Sequence, residues 1–384
     1  MISKVAIKRF AEIPTPFYYY DIGLLKDTLS LYTSLIAKYK YNAHYAIKAN
    51  AEPKILQIIQ KSGLGADCVS GNEIKVALKN GFDSNKIVYA GVGKSDREIK
   101  IALKSKIFCF NCESIPEIKI INDIASSFGV VANISLRVNP NIDAHTHKYI
   151  STGREEDKFG ISPWEFSDVV NLIEPLDNIK LIGLHFHIGS QITDMNVFSL
   201  LCKSVEQLQC WFIERGIEIK NLNLGGGLGI DYQNPQENPI PNFKEYFAII
   251  KKNLIVRPGQ KIHFEPGRAL VGQCGHLISK VLYVKNGKNK NFVILDAGMN
   301  NLIRPALYQA HHDIENLVSK GKTEKYDIVG PVCESSDVFC KEASLAHTNR
   351  GDLIAIHSAG AYGQVMGMRY NLRDLAKAYY SDDF

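Results

Sequence analysis

The chain has 384 residues, 45% of them hydrophobic, and a net charge of +5 from 45 basic and 40 acidic side chains. That length exceeds one ordinary domain unless the domain is a large α/β barrel. The small charge is spread without a basic block, which argues against a nucleic-acid partner. No apolar run of about 18 residues occurs, so no membrane span is expected, and the first nine residues lead into no apolar secretory stretch, which points to the cytoplasm.

In chain order, residues 1–25 come first, with Phe17-Tyr18-Tyr19-Tyr20 expected to pack on the C-terminal part of the chain. From residue 43 the pattern repeats: short β-branched, apolar runs alternate with stretches of 3.6-residue periodicity. Strands are predicted over 43–48, 64–69, 86–90, 106–111, 131–138, 180–187, 217–224 and 261–265. Helices are predicted over 53–62, 72–80, 96–104, 115–127, 163–176, 197–215 and 243–253. Ser95, Ser162 and Asn242 stand at helix starts, and Gly63, Gly81, Gly129 and Gly216 at helix ends. Eight such units in about 220 residues match a (β/α)8 TIM-like barrel, placed at 26–270. After residue 270 the rhythm changes. Residues 277–285 and 291–295 flank Asn286-Gly287-Lys288-Asn289-Lys290 as a hairpin, and strands are predicted near 326–329 and 352–357. Residues 271–384 therefore read as a second, mainly β domain.

Barrel enzymes gather their chemistry at the C-terminal ends of the strands. Here those ends carry Lys48, Asp67, Arg137, His187, Gly225-Gly226-Gly227 and Glu265-Pro266-Gly267-Arg268. A lysine closing an apolar strand loses water around its ammonium, and such an amine suits Schiff-base chemistry. Each residue also has an ordinary reading: Asp67 as a helix N-terminal acid, Arg137 as an ion-pair member, His185 and His187 as hydrogen-bonded core. The HxH spacing permits a metal but has no partner in step, and Cys109/Cys112 lacks a second pair, so no metal is expected. The eight cysteines fall mostly in apolar patterns and read as small buried hydrophobes. The glycine run is followed by Gln233-Asn234-Pro235 where a dinucleotide fingerprint needs a helix. It reads better as a loop whose bare backbone N–H groups approach a phosphate. A lysine after strand one, a phosphate loop after strand seven and a carboxylate after strand eight outline a site for pyridoxal 5'-phosphate (PLP).

Tyr45-Ala46-Ile47-Lys48-Ala49-Asn50, His185-Phe186-His187-Ile188-Gly189-Ser190-Gln191, Gly225–Gly227, Glu265–Arg268 and Cys333-Glu334-Ser335-Ser336-Asp337 resemble, in order, the fold-type III PLP decarboxylases. Arg304-Pro305-Ala306-Leu307-Tyr308 and Gly360-Ala361-Tyr362-Gly363 extend the likeness over nearly the whole chain. The resemblance implies decarboxylation of meso-2,6-diaminopimelate to L-lysine and CO2. The alternatives are a decarboxylase of a polyamine-pathway substrate such as carboxynorspermidine or ornithine, and a non-catalytic PLP-binding regulatory protein. By resemblance, Lys48 would hold the cofactor covalently, His187 would stack on its ring, and Ser190 with the glycine loop would take its phosphate. Glu265 would face the ring nitrogen with Arg137 supporting it; Asp67, Pro266, Gly267 and Arg268 would complete the cofactor's surroundings. Arg268, Arg304 and Tyr308 would bind the substrate's distal carboxylate, and Tyr362 would touch both cofactor and substrate. The resemblance also implies a homodimer with shared sites, in which Cys333, as proton donor, and Glu334, on the distal ammonium, reach into the neighbouring subunit. Ser336 departs from the family's usual glycine, and the tail after Tyr370-Asn371 lacks its usual ending.

Overall fold

The computed structural model describes residues 2–140, 142 and 158–384. They fall into two compact units, Leu29–Gly229 with Asn242–Gly267, and Met1–Thr28 with Ile230–Pro241 and Arg268–Phe384. The segment Ile230–Pro241, expected within the barrel stretch, thus groups with the β-rich unit.

The first unit is a closed barrel of parallel strands in sequential order: Asn42–Ala46, Gly65–Cys68, Ile87–Tyr89, Cys109–Cys112, Ala132–Arg137, Ile179–His185, Asn221–Asn223 and Lys261–Phe264. All eight predicted strands are present, several of them shorter than their apolar runs. Most helices match the periodic stretches closely, as at Asp96–Lys104, Ile115–Ser127 and Phe243–Asn253. Their starts are fixed locally. Ser95 and Glu98 form a capping box, as do Ser162 and Glu165, and the Asn242 side chain accepts the Glu245 N–H. The stretch 163–176 divides into a 3-10 turn, Pro163–Glu165, and a helix, Phe166–Ile173.

The barrel is filled in layers. Near the N-terminal ends of the strands, the rings of His44, His263 and Phe108 stack, with His44 Nε2 2.9 Å from His263 Nδ1. His44 Nδ1 meets the Lys86 carbonyl at 2.9 Å, an approach that needs Gly65, whose Cβ would lie 2.1 Å from that carbonyl oxygen. Above this layer Val88, Cys109 and Ile182 form an apolar plug. Ser135 Oγ meets Cys109 Sγ at 3.2 Å at this level, and further polar side chains gather at the C-terminal ends.

The second unit is an eight-stranded sheet among the described residues. Gly275–Asn286 and Asn291–Leu295 form the predicted hairpin, and Phe17–Tyr20 adds antiparallel to the former, with Phe17 opposite Ile278. Phe10, Phe17, Tyr19, Ile278, Leu353 and Ala355 form its core. No helix among the described residues is long and apolar enough to cross a membrane.

Candidate active site

The first strand stops at Ala46, and Ile47–Ala49 forms a single 3-10 turn that carries Lys48. The predicted strand end at residue 48 is corrected accordingly: the strand stops two residues earlier, and the turn carries the amine. Lys48 Nζ lies 3.1 Å from Asp67 Oδ2, with the lysine side chain 35% exposed and the aspartate fully buried. Burial and the neighbouring Glu265 push the Asp67 carboxyl up, and Lys48 opposes the rise. Asp67 Oδ1 has no hydrogen-bond partner among the described residues.

Glu265 follows the eighth strand and is buried, yet three side chains from three other strands converge on it. Asn111 Nδ2 and Asn223 Nδ2 donate to Oε1 at 3.2 and 2.7 Å, and His185 Nε2 meets Oε2 at 2.9 Å. Burial alone would push this carboxyl up. The attraction and hydrogen bond of His185, joined by Lys48, override it and hold Glu265 well below the usual carboxylate range. The group is therefore an anion enclosed in a low-dielectric site.

The support expected from Arg137 is not what the geometry provides. Its Nη1 pairs with Glu113 Oε1 at 2.7 Å, and its guanidinium lies over the Phe159 ring at 4.6 Å. Glu113 also accepts the N–H groups of Gly91 and Gly160, so this pair ties together the loops after strands three, four and five. His185, Asn111 and Asn223 hold Glu265 instead. Sequence reasoning did not assign them this role, although the same-face reading of His185 and His187 is the signal that points to the first.

The sixth strand ends at His185, so His187 lies in the following loop rather than in the strand. Gly226 N–H donates to His187 Nδ1 at 3.2 Å, which places the ring proton on Nε2. Burial first, then the charges of Lys48 and Arg137, push this imidazole well below its ordinary value, so the ring is neutral. The loop bearing Ser190 runs beside the glycine run: Ile192 N–H donates to the Gly227 carbonyl at 2.8 Å, and Gly229 N–H returns to Ile192 at 2.9 Å. A Cβ at Gly225 would lie 2.2 Å from the Phe186 oxygen, and one at Gly226 2.3 Å from the Glu265 oxygen. Only bare backbone fits between these loops. The N–H groups of Gly225 and Gly226 are directed inward, to Asn223 Oδ1 and His187 Nδ1. These two N–H groups brace the loop itself. Pro266 accepts the Ala46 N–H at 3.0 Å, and Pro266 and Gly267 are buried beside the seam of strands eight and one.

In the β-rich unit a second set of predicted residues gathers. Arg268 Nη1 and Arg304 Nη1 both donate to the Tyr232 hydroxyl, at 2.5 and 3.0 Å. The Arg268 guanidinium also lies 4.8 Å from the Tyr362 ring centre, and Tyr362 adopts a left-handed backbone, φ +56°. Both arginines are buried, and burial lowers Arg304 to about 10, still cationic at neutral pH. Arg304 Nε meets no acceptor among the described residues. Tyr308 sits one turn beyond Arg304 on the helix Arg304–Tyr308. Tyr232 was not foreseen. Cys333 and Glu334 occupy an exposed loop held by the buried Asp337, which accepts the N–H groups of Met299 and Val332, and by Asn371, which accepts that of Cys333. Tyr370 OH donates to Glu334. Among the described residues no cluster of three or more His, Cys, Asp or Glu side chains could hold a metal. Burial pushes the Cys109 thiol up to about 12, consistent with an inert core residue.

A lysine amine and an enclosed carboxylate at the C-terminal mouth of a closed parallel barrel define an enzyme that works through a carbonyl cofactor with a basic ring nitrogen. Comparison with known proteins gives that class its family. Residues 24–272 match the family described as pyridoxal-dependent decarboxylase, pyridoxal binding domain. The diaminopimelate decarboxylase of Bacteroides thetaiotaomicron is 56% identical over 98% of both chains. A crystal structure of the Helicobacter pylori diaminopimelate decarboxylase complexed with L-lysine has a TM-score of 0.92 at 41% identity, covering 98% of this chain and 94% of that one. One from M. jannaschii, in co-complex with L-lysine, has a TM-score of 0.90 at 34% identity, covering 98% and 90%. The chain belongs to the diaminopimelate decarboxylase family of pyridoxal-dependent decarboxylases. Its barrel residues fit the cofactor: an amine at the mouth, an anion for a ring nitrogen, a neutral imidazole, an orphaned Asp67 oxygen, and a glycine loop that a Cβ would obstruct.

Proposed function

We propose that this chain removes CO2 from meso-2,6-diaminopimelate and releases L-lysine. The observation that carries the substrate is the arginine pair: Arg268 and Arg304 are buried and share one phenol oxygen, and Arg304 Nε meets no acceptor among the described residues. A second amino-acid head group supplies that carboxylate, whereas the simple amine of an ornithine-like substrate does not.

When bound, pyridoxal phosphate supplies an electron sink for the pair left behind as CO2 departs. Lys48 would hold it through its amine, with Asp67 orienting that amine. Glu265 would keep a proton on the ring nitrogen, which favours decarboxylation over racemisation. Neutral His187 would stack on the ring without adding a competing charge. Ser190 and the Gly225–Gly227 loop would receive the phosphate, and the Arg137–Glu113 pair fixes the neighbouring loops. Arg268, Arg304 and Tyr308 bind the distal carboxylate, and Tyr362 bounds the site. Cys333 of the partner subunit returns a proton to the reacting carbon, and Glu334 of the partner subunit meets the distal ammonium, so the working form is a homodimer. The exposed position of both residues supports that role. The cytoplasm is the proposed location, supported by eight free cysteines.

The test is a substrate panel with the PLP-loaded protein. CO2 and L-lysine are expected from meso-diaminopimelate, and borohydride reduction followed by peptide mapping is expected to find the pyridoxyl group on Lys48. Turnover of ornithine instead, or a pyridoxyl group on no lysine, would reject the reading.

A further inference from the structure

Tyr232 stands at the centre of the arginine cluster, and its position is built rather than incidental. Asp231 beside it accepts the N–H groups of Gln233 and Asn234, both at 2.8 Å, and the Asn238 side chain at 2.8 Å, which pins the loop. Gln273 Nε2 holds the far side through the Asn238 carbonyl. The ring is wedged edge-on by His312, with centroids 5.0 Å apart at 77°. His312 is itself fixed, because its Nδ1 donates to the His357 carbonyl at 2.8 Å. Burial, with Arg304 nearby, lowers His312 to about 3, so it adds no third positive charge.

A phenol oxygen has two lone pairs. Here the nearest N–H of each guanidinium takes one of them, and both cations also lie against the ring, at 5.8 and 5.0 Å from its centre. Two like charges are thereby held side by side. Each spends one donor on the same oxygen, which ties the two guanidiniums to one point. Buried like charges repel strongly and would otherwise separate or rotate.

We propose that Tyr232 is the positioning residue that sets the spacing of Arg268 and Arg304 and so selects ligands with a carboxylate at the end remote from the reaction. This rests on the assignment of those arginines to the distal carboxylate. Diaminopimelate has two carboxyl groups and lysine one, so the carboxylate kept in the product is the distal one. Substrate and product therefore both depend on Tyr232, while a diamine with no carboxylate does not.

The experiment uses the PLP-loaded protein and Tyr232→Phe, which keeps the ring and its packing and removes only the acceptor. KM for meso-diaminopimelate and Ki for L-lysine are expected to rise together, about tenfold, with kcat within about twofold. Ki for cadaverine, the corresponding diamine, is expected to stay unchanged, as is the cofactor's absorbance. An equal loss for cadaverine makes Tyr232 merely structural and overturns the inference, as does no change for any ligand. Absence of diaminopimelate turnover in the unsubstituted protein rejects the proposed function and this inference with it. Turnover there with an indifferent Tyr232→Phe rejects the inference alone.

Discussion

Glu265 shows what one residue can and cannot announce. Its place after the eighth strand was readable, because a carboxylate closing an apolar run at a barrel mouth has little reason to be there except chemistry. Its three partners were not, since Asn111, His185 and Asn223 lie 154, 80 and 42 residues away and only barrel closure brings them together. The same ignorance assigned Arg137 to Glu265, when the nearer loop acid Glu113 claims it at 2.7 Å. The enclosed anion leads to a prediction. Glu265→Gln keeps the shape and removes the charge, so PLP is expected to remain on Lys48 while kcat falls by roughly 10²-fold or more. Cofactor absorbance and steady-state rates measure the two separately. Full activity in this variant would show that a neutral partner suffices.

At the scale of elements, legibility followed local physics. Helices opened by a capping residue, as at Ser95 and Asn242, were placed nearly to the residue, because caps and periodicity act within a few positions. Strand ends were less legible. Apolar runs continue past the last ladder bond at Ala46 and His185, and the chain turns there to present Lys48 and His187. Hydropathy does not record that turn. Among the β-rich unit's strands, Val338–Ala346 went unread because Lys341 and Glu342 interrupt it, and Ile314–Asn316 because three residues carry no period. Tyr232 belongs to a segment, Ile230–Pro241, that leaves the barrel stretch for the other unit, and no local pattern signals such an excursion.

For the whole molecule, the proposed shared site makes activity a property of two chains. Mixing inactive Lys48→Ala and Cys333→Ala parents is expected to restore up to about a quarter of the activity, since hybrids form half of the dimers and each holds one intact site. No recovery after confirmed subunit exchange would remove the shared site. The stacked imidazoles of His44 and His263 impose another collective property. Burial lowers both, His263 to about 3, with Lys86 and Lys261 nearby opposing a proton and Glu265 favouring one. Unfolded, each histidine would accept a proton below about pH 6.5; folded, it refuses. Stability is therefore complete above that value and drains away as the solution acidifies, at up to about 1.4 kcal/mol per pH unit for each ring, the loss at His263 continuing toward pH 3. Urea midpoints at pH 7.5 and 5.0 are expected to show the loss, and His263→Gln to lessen it; equal midpoints would contradict the argument. The floor of the barrel, remote from any substrate, thus sets the sourness this enzyme can survive.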